Sequence, residues 1–213
     1  MVFTIGVSAL TSEVKTRIDE AISVSMKSAG RAKLAGPLAY CVHELVDNAI
    51  KANIKRMYFA ELGLDISDSR DYAAGMIGFR ESALCGDSGY LNLQKESGLY
   101  VKLVLRMCEN RFHISIRNNA IATSSELARI QNRLSPAWRN GNLNDVMDRV
   151  FDESEGAGFG LVSLSMLLGK IGLHESRLVI CVSDTETIAQ LTVPVGKRFA
   201  MDDTGIEPVT STV

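Results

Sequence analysis

The strongest constraint on the fold comes from one segment, predicted to form a helix from about Pro37 to about Asn53, that carries three different polar groups. Glu44, Asn48 and Lys51 follow one another at intervals of four and three residues. At about 3.6 residues per turn, this spacing places all three side chains on one side of an α-helix. The segment therefore predicts a helix with a polar stripe, packed onto a core by its apolar side.

The three groups of this stripe have complementary chemistry. The carboxylate of Glu44 can orient or deprotonate an attacking group, the amide oxygen of Asn48 can bind a hard cation, and the amine of Lys51 can pair with phosphate oxygens. Together they are typical of a site for a metal-bound nucleotide. The alternative is a surface helix that exposes Glu, Asn and Lys to solvent.

A second motif favours the nucleotide interpretation. Residues 155–161 read E-G-A-G-F-G-L and precede an apolar helical pattern. Glycines at such a position let backbone N–H groups approach phosphates at a helix N-terminus. In this order, E-x-x-x-N-A-x-K-A resembles the N box, and G-x-G-x-G-L the second glycine box, of the GHKL (Bergerat-fold) ATP-binding superfamily. That superfamily includes histidine-kinase catalytic domains, anti-sigma-factor kinases, gyrase and Hsp90.

The resemblance implies an α/β fold, a two-layer sandwich in which helices cover one face of a mixed β-sheet, with ATP and Mg²⁺ bound beneath a mobile lid. It implies that Glu44 polarises the attacking group, Asn48 holds Mg²⁺ and Lys51 meets the phosphates. Residues of the glycine box would surround the phosphates: Gly156, Gly158, Phe159, Gly160 and Leu161.

The chain departs from the superfamily at the first glycine box, D-x-G-x-G, which corresponds to N-N-A-I-A at residues 118–122. Asn118 replaces the acid that binds the adenine amine, and Ala120 and Ala122 replace two glycines. An amide oxygen can still accept a hydrogen bond, but without charge, while the amide NH₂ could serve another base. We therefore expect relaxed base selectivity, and tighter adenine binding in Asn118→Asp. The alternative for Asn118 is a polar turn at a strand end.

The rest of the chain alternates between helix and strand patterns. Predicted strands are Phe3–Val7, Arg56–Glu61, Tyr100–Glu109, Arg111–Arg117, Arg177–Val182 and Thr187–Val193, and further predicted helices are Lys15–Met26, N-capped by Ser12, and Ser124–Leu134. Residues 63–98 lack periodicity and are interpreted as a functional loop or a family-specific insertion with short helices. Residues 121–155 resemble the ATP lid in position, with Val150–Asp152 similar to the lid's phenylalanine segment. We expect one domain over residues 1–198 and a disordered tail over 199–213.

Composition limits the compartment and the partners. A net charge of −2 and a pI near 6.0 do not indicate binding to nucleic acid or to an anionic membrane. No apolar run reaches the ~20 residues of a membrane span, and the first ten residues lack the pattern of a secretory signal. Four cysteines without zinc spacing are expected to be buried thiols in a reducing cytoplasm: Cys41, Cys85, Cys108 and Cys181.

Three functions remain open from the motifs. One is an ATP-dependent kinase of signal transduction that phosphorylates a protein partner, or an enzyme that hydrolyses ATP slowly. The second is a non-catalytic interaction module gated by a nucleotide, and an interaction protein with a decayed pocket is a third alternative. His43-Glu44-Leu45 is similar to a sensor-kinase phosphoacceptor, but no Arg-x-Pro follows it, so His43 is interpreted as a packed or capping histidine. The partner, the phosphoacceptor and a homodimer are left open.

Overall fold

A computed structural model describes residues 1–82, 97–134, 159–171, 173 and 177–196. Within these ranges the chain forms five strands and five helices, joined by one short 3₁₀ turn at Ala32–Leu34. The strands are β1 (Val2–Val7), β2 (Val101–Cys108), β3 (Arg111–Asn118), β4 (Arg177–Val182) and β5 (Thr187–Pro194). The helices are α1 (Ser12–Ser28), α2 (Ala35–Glu61), α3 (Ser69–Ser82), α4 (Ser124–Arg133) and α5 (Phe159–Lys170).

The five strands form one sheet in the order β1-β2-β3-β5-β4, and every neighbouring pair is antiparallel. The α/β class is confirmed, but the expected mixed sheet is wrong for these strands. β3 and β4 run in the same direction because both are antiparallel to β5. A tight turn closed by Ser183 N–H and Glu186 C=O returns the chain from β4 into β5, which lies between β3 and β4 and prevents a parallel pair.

One face of the sheet forms the core. Leu103 pairs with Ile116 and Leu105 with Ile114 across β2 and β3, and all four side chains are buried. α1 and α2 pack against this side of the sheet. The intervening positions of β2 and β3 are exposed or half-buried, so the alternation of apolar and polar residues decides which face the helices cover.

Helix α2 is longer than the sequence suggested. The predicted strand at Arg56–Glu61 is wrong, since these residues form the last turns of α2. Aromatic residues favour strands locally, but no turn residue interrupts the helical spacing, and the ring of Tyr58 packs edge-on at 5.6 Å from that of Phe79 in α3. Gly63, two residues after the end of the helix, has a φ of 66°, and the next residue, Leu64, donates its N–H to the Phe59 carbonyl.

Several other elements follow the predicted pattern. β1 is an edge strand, and the β2–β3 hairpin turns through Glu109 and Asn110, both with positive φ. The N-cap of α1 is Thr11 instead of Ser12, because its hydroxyl accepts from the Val14 N–H. The segment 63–98 contains α3. Outside the described residues lie 83–96, the lid positions 135–158 with Val150–Asp152, and the tail from 197.

The cysteines differ in their surroundings. Cys41 is fully buried in α2, and burial raises the pKa of its thiol to about 12. Cys108 is half-buried and Cys181 is exposed, so the expectation of buried thiols is right for Cys41 and wrong for Cys181. Cys85 lies outside the described residues. No helix within the described ranges is long and apolar enough to cross a bilayer.

Candidate functional site

An open cavity lies between helices α2, α4 and α5 and the sheet, where β3 ends and β5 begins. Asn48 and Lys51 of the predicted polar stripe line it, and Lys55 continues the stripe one turn further along α2. Asn118 at the end of β3 and Leu161 of α5 also form part of its wall. The cavity therefore brings together residues from all three of the predicted motifs.

Gly160, in the first turn of α5, touches the polar stripe directly. A Cβ atom at this position would overlap the Oε2 atom of Glu44 and would lie 3.9 Å from the Asn48 Nδ2 atom. Only glycine fits without displacing the carboxylate. Glu44 itself is half-buried beside α5 and is not part of the cavity wall within the described residues.

The remaining glycine-box residues are placed only in part. Phe159 begins α5, and Leu161 is buried against the core. Gly156 and Gly158 lie outside the described residues. Their contact with phosphates therefore stays a prediction.

Asn48 carries a buried amide nitrogen that has no hydrogen-bond partner among the described residues. A buried donor without a partner is unfavourable by about 1–3 kcal/mol, which is typical of a position that a ligand completes. The oxygen and nitrogen of the amide exchange places by a half-turn of the side chain, so the oxygen can face the same point. In that orientation the Asn48 oxygen fits Mg²⁺, which binds through one or two protein oxygens and substrate phosphates.

Lys51 forms an ion pair with Asp47, one turn earlier on α2, with 2.6 Å between Nζ and Oδ2. Both side chains are more than a third exposed, and such pairs are weak, so the ammonium group can exchange Asp47 for a phosphate. His43 points away to α1, where its Nε2 lies 3.0 Å from an oxygen of Asp19. The interpretation of His43 as a packed histidine is consistent with this contact.

Asn118 is 4% exposed, and its amide is held by the protein. The Nδ2 group donates to the Asn53 Oδ1 atom at 3.3 Å and to the Ala120 carbonyl at 3.3 Å. Asn53 is fully buried and donates in turn to the Tyr100 carbonyl. Both donors of Asn118 are therefore occupied, so a ligand in the cavity that Asn118 lines could use only the Oδ1 atom of this amide, as an acceptor. The expected relaxation of base selectivity does not follow from this geometry.

The two alanines that replace glycines fit the strand end. Among described non-glycine residues, positive φ occurs only at Glu109 and Asn110, so Ala120 and Ala122 have ordinary backbone geometry. Thr187 of β5 donates its hydroxyl to the Ala120 carbonyl at 2.8 Å and accepts from the Ala122 N–H at 2.8 Å. The alanines therefore line the cavity without backbone strain.

A basic wall completes the cavity, and the sequence did not reveal it. Lys55 and Arg56 of α2 surround the carboxylate of Glu126 in α4, with distances of 2.9 Å from Lys55 Nζ and 2.5 Å from Arg56 Nη2. Arg129 lies over the ring of Tyr72, 4.6 Å from its centroid, and also lines the cavity. Lys55 follows Lys51 at helical spacing, a signal that was missed because the predicted helix ended at about Asn53.

Glu126 connects α4 to α2 as an ionised group. It caps its own helix through Thr123, whose N–H donates to Oε2 at 2.9 Å. Burial alone would raise the pKa of Glu126, but hydrogen bonds from Arg56 and the charges of Lys55 and Arg56 lower it to about 2. The capping box T-S-S-E at 123–126 was the available signal for this residue.

Comparison with known proteins gives one similarity. No family model matches the chain, and no solved structure matches it. An uncharacterized protein of Treponema pallidum (strain Nichols) is 41% identical over 157 residues, which cover 74% of this chain and 31% of the relative. The chain thus spans less than a third of that relative's length, and the functional argument rests on the geometry of the site.

Glu126→Gln is expected to lower the free energy of unfolding at pH 7 by about 3 kcal/mol, since a pKa shift from the ordinary value near 4.5 to about 2 is worth that much. The depressed pKa means that the stabilisation is present above pH 4.5 and is lost as the pH falls towards 2. Urea unfolding at several pH values measures both effects. Glu20→Gln, at an exposed position on α1, is the control, with an expected change under about 0.5 kcal/mol. If the free energy of unfolding of Glu126→Gln fell between pH 4.5 and pH 2 as much as that of the wild type, this account would be contradicted.

Asn118→Asp is now expected to destabilise the fold by about 2–3 kcal/mol, because a buried carboxylate would face the acceptors that Asn118 now satisfies. Asn119→Asp is the matched control. The Asn119 Oδ1 atom accepts from the Tyr100 N–H, and an aspartate keeps that bond. The control loses only the bond from Nδ2 to the Gly98 carbonyl, at an exposed site where water can replace it, so a loss under about 1.5 kcal/mol is expected. A loss of thermal stability in Asn118→Asp no greater than in Asn119→Asp would show that the burial of the Asn118 amide adds nothing to the contribution of its donors.

Proposed function

We propose that this chain is an ATP-binding domain of the GHKL type that phosphorylates a protein partner or hydrolyses ATP slowly. The observation that carries the proposal is the contact of Gly160 with Glu44 and Asn48, since it joins two distant motifs at one point beside the cavity. The unpartnered buried amide of Asn48 supports a ligand at that point. A cytoplasmic location accompanies this proposal because ATP is the ligand.

At one end of the cavity, Asn118 would select the base. With both amide donors bound to Asn53 and Ala120, its Oδ1 atom offers only an acceptor. An exocyclic amine such as that of adenine can donate to this oxygen, whereas a carbonyl at the same position of guanine would be repelled. Apolar side chains such as Ile116 and Ala189 line the adjoining wall and suit a flat ring.

At the other end, the polar stripe of α2 would hold the phosphates. Bound Mg-ATP would supply the transferable phosphoryl group, with the cation offsetting its negative charge. Asn48 would hold the cation, and Lys51 would exchange its contact with Asp47 for a phosphate oxygen. Glu44, fixed beside Gly160, is positioned to orient the attacking hydroxyl or water and to accept its proton. The basic residues Lys55 and Arg129 add positive potential to the cavity.

A non-catalytic module gated by ATP is the second candidate. The neutral amide at Asn118 and the existing Lys51–Asp47 pair favour it, since both weaken the charge available to the nucleotide. A single-turnover assay with Mg-ATP and separation of ADP distinguishes the two candidates. Turnover that Glu44→Gln abolishes, while leaving nucleotide binding intact, supports the enzyme, and binding without turnover supports the module.

Mg-ATP is expected to raise the melting temperature, because a ligand that binds only the folded state adds about 2.7 kcal/mol of stability at a hundredfold excess over Kd. Asn48→Ala is expected to reduce this shift when Mg²⁺ is present and to leave the shift unchanged after chelation with EDTA, since the amide acts through the cation. Differential scanning fluorimetry measures all four conditions. If millimolar nucleotide did not shift the melting temperature of the wild type, the ATP-binding proposal would be contradicted. Equal loss with and without Mg²⁺ would make Asn48 a packing residue.

A further inference from the structure

The face of the sheet opposite the helices, here called the open sheet face, has an unusual charge pattern. The five described strands contain five charged residues, all of them basic and all at outward positions: Lys102, Arg106, Arg111, Arg117 and Arg177. Acidic residues outnumber basic ones in the chain, 25 to 23. A sheet face with bases only is therefore not a consequence of overall composition.

These cations occupy defined places in the strand register. Arg106, His113, Thr192 and Arg177 are direct neighbours across β2, β3, β5 and β4. With about 4.8 Å between strands, Arg106 and Arg177 lie roughly 14 Å apart on the backbone. Lys102 lies four residues from Arg106, or about 13 Å along β2. The cations are thus spread over an extended surface. A compact anion such as a single phosphate would instead need them clustered around one point.

The protein itself neutralises little of this charge. Arg117 has Glu186 at 3.6 Å, and Glu186 also accepts from the Tyr100 hydroxyl. The other four cations of the face form no hydrogen bond or ion pair with the described part of the chain. Lys102 stands directly opposite Arg117, and like charges in this position destabilise a sheet. Such an arrangement opposes folding, which points to an anion outside the protein.

The other outward residues indicate which anion. Ser115, Gln190 and Thr192 provide short hydrogen-bonding groups between the cations. The apolar outward residues Val104, Val179 and Ile188 are half-buried or buried, and of the large exposed apolar residues in the described ranges only Val2, at the β1 edge, has an outward position in these strands. Protein interfaces depend on aromatic and apolar anchors, and single-stranded nucleic acids stack on aromatic rings. A duplex backbone needs only cations and polar donors.

We propose that the open sheet face binds the phosphate backbone of double-stranded nucleic acid without reading its sequence. This role does not depend on the nucleotide site, which lies on the other side of the sheet. The expectation of no nucleic-acid partner came from the net charge of −2, which averages the basic sheet face with acidic residues elsewhere, such as Glu13, Asp19 and Glu20 of α1.

Fluorescence anisotropy of the full chain with a labelled DNA duplex of about 20 base pairs tests the proposal. We expect binding at low salt and an affinity that falls with salt with a log–log slope of roughly −3 to −4, for about four phosphate contacts. Arg106→Glu with Arg177→Glu is expected to weaken binding at least about tenfold and to reduce the slope by about 2. Arg106→Gln with Arg177→Gln introduces no new charge and is expected to weaken binding in the same direction.

Lys15→Glu with Arg17→Glu is the matched control. It makes the same change in net charge on the exposed side of α1, and we expect it to change the affinity less than about twofold. Three results would overturn the proposal: no binding of the duplex at low salt, equal weakening by the control, or stronger binding to poly-glutamate or to anionic phosphatidylserine vesicles than to the duplex. Circular dichroism confirms that each variant is folded before its titration is compared.

Discussion

The packing of α2 against the sheet is the constraint on which the other features depend. One side of this 27-residue helix is buried through its middle turns, by Cys41, Val42, Leu45, Val46, Ala49 and Ile50. Burying these side chains fixes the rotation of the helix about its axis, and each large one contributes roughly 1.5–3 kcal/mol. Once that rotation is fixed, Asn48, Lys51 and Lys55 must face the cavity. The position of the polar stripe is therefore a consequence of the core.

The same helix explains why an amide occupies position 118, at the end of β3. Asn53, in the buried part of α2, presents an oxygen that must be satisfied, and Asn118 satisfies it while also binding the Ala120 carbonyl. A carboxylate could make neither bond without first taking up a proton. The amide at position 118 is thus coupled to Asn53, and the pair stabilises the junction of α2 and β3.

The sequence predicted features that depend on local spacing and missed those that depend on distant partners. The polar stripe, the α4 helix and the hairpin turn at Glu109 and Asn110 follow from periodicity and turn chemistry. The strand at Arg56–Glu61 failed because the packing of Tyr58 and Phe59 on α3 outweighs their strand propensity. That error concealed the basic wall, since Lys55 and Arg56 bind Glu126, about 70 residues later. Strand order, and hence the basic open sheet face, could not be deduced from composition, because the net charge does not show where in the structure the charged residues lie.

Hydrogen exchange measured by mass spectrometry, with and without saturating Mg-ATP, tests the central claim most directly, because it locates the ligand on the chain. If α2, the end of β3 and the start of α5 form one nucleotide site, exchange should slow in residues 48–55, 118–122 and the first turn of α5. The same peptides should remain unchanged with Mg²⁺ alone. Undiminished exchange in all three segments, or protection confined to other parts of the chain such as α3, would contradict the assignment of this cavity as the ATP site.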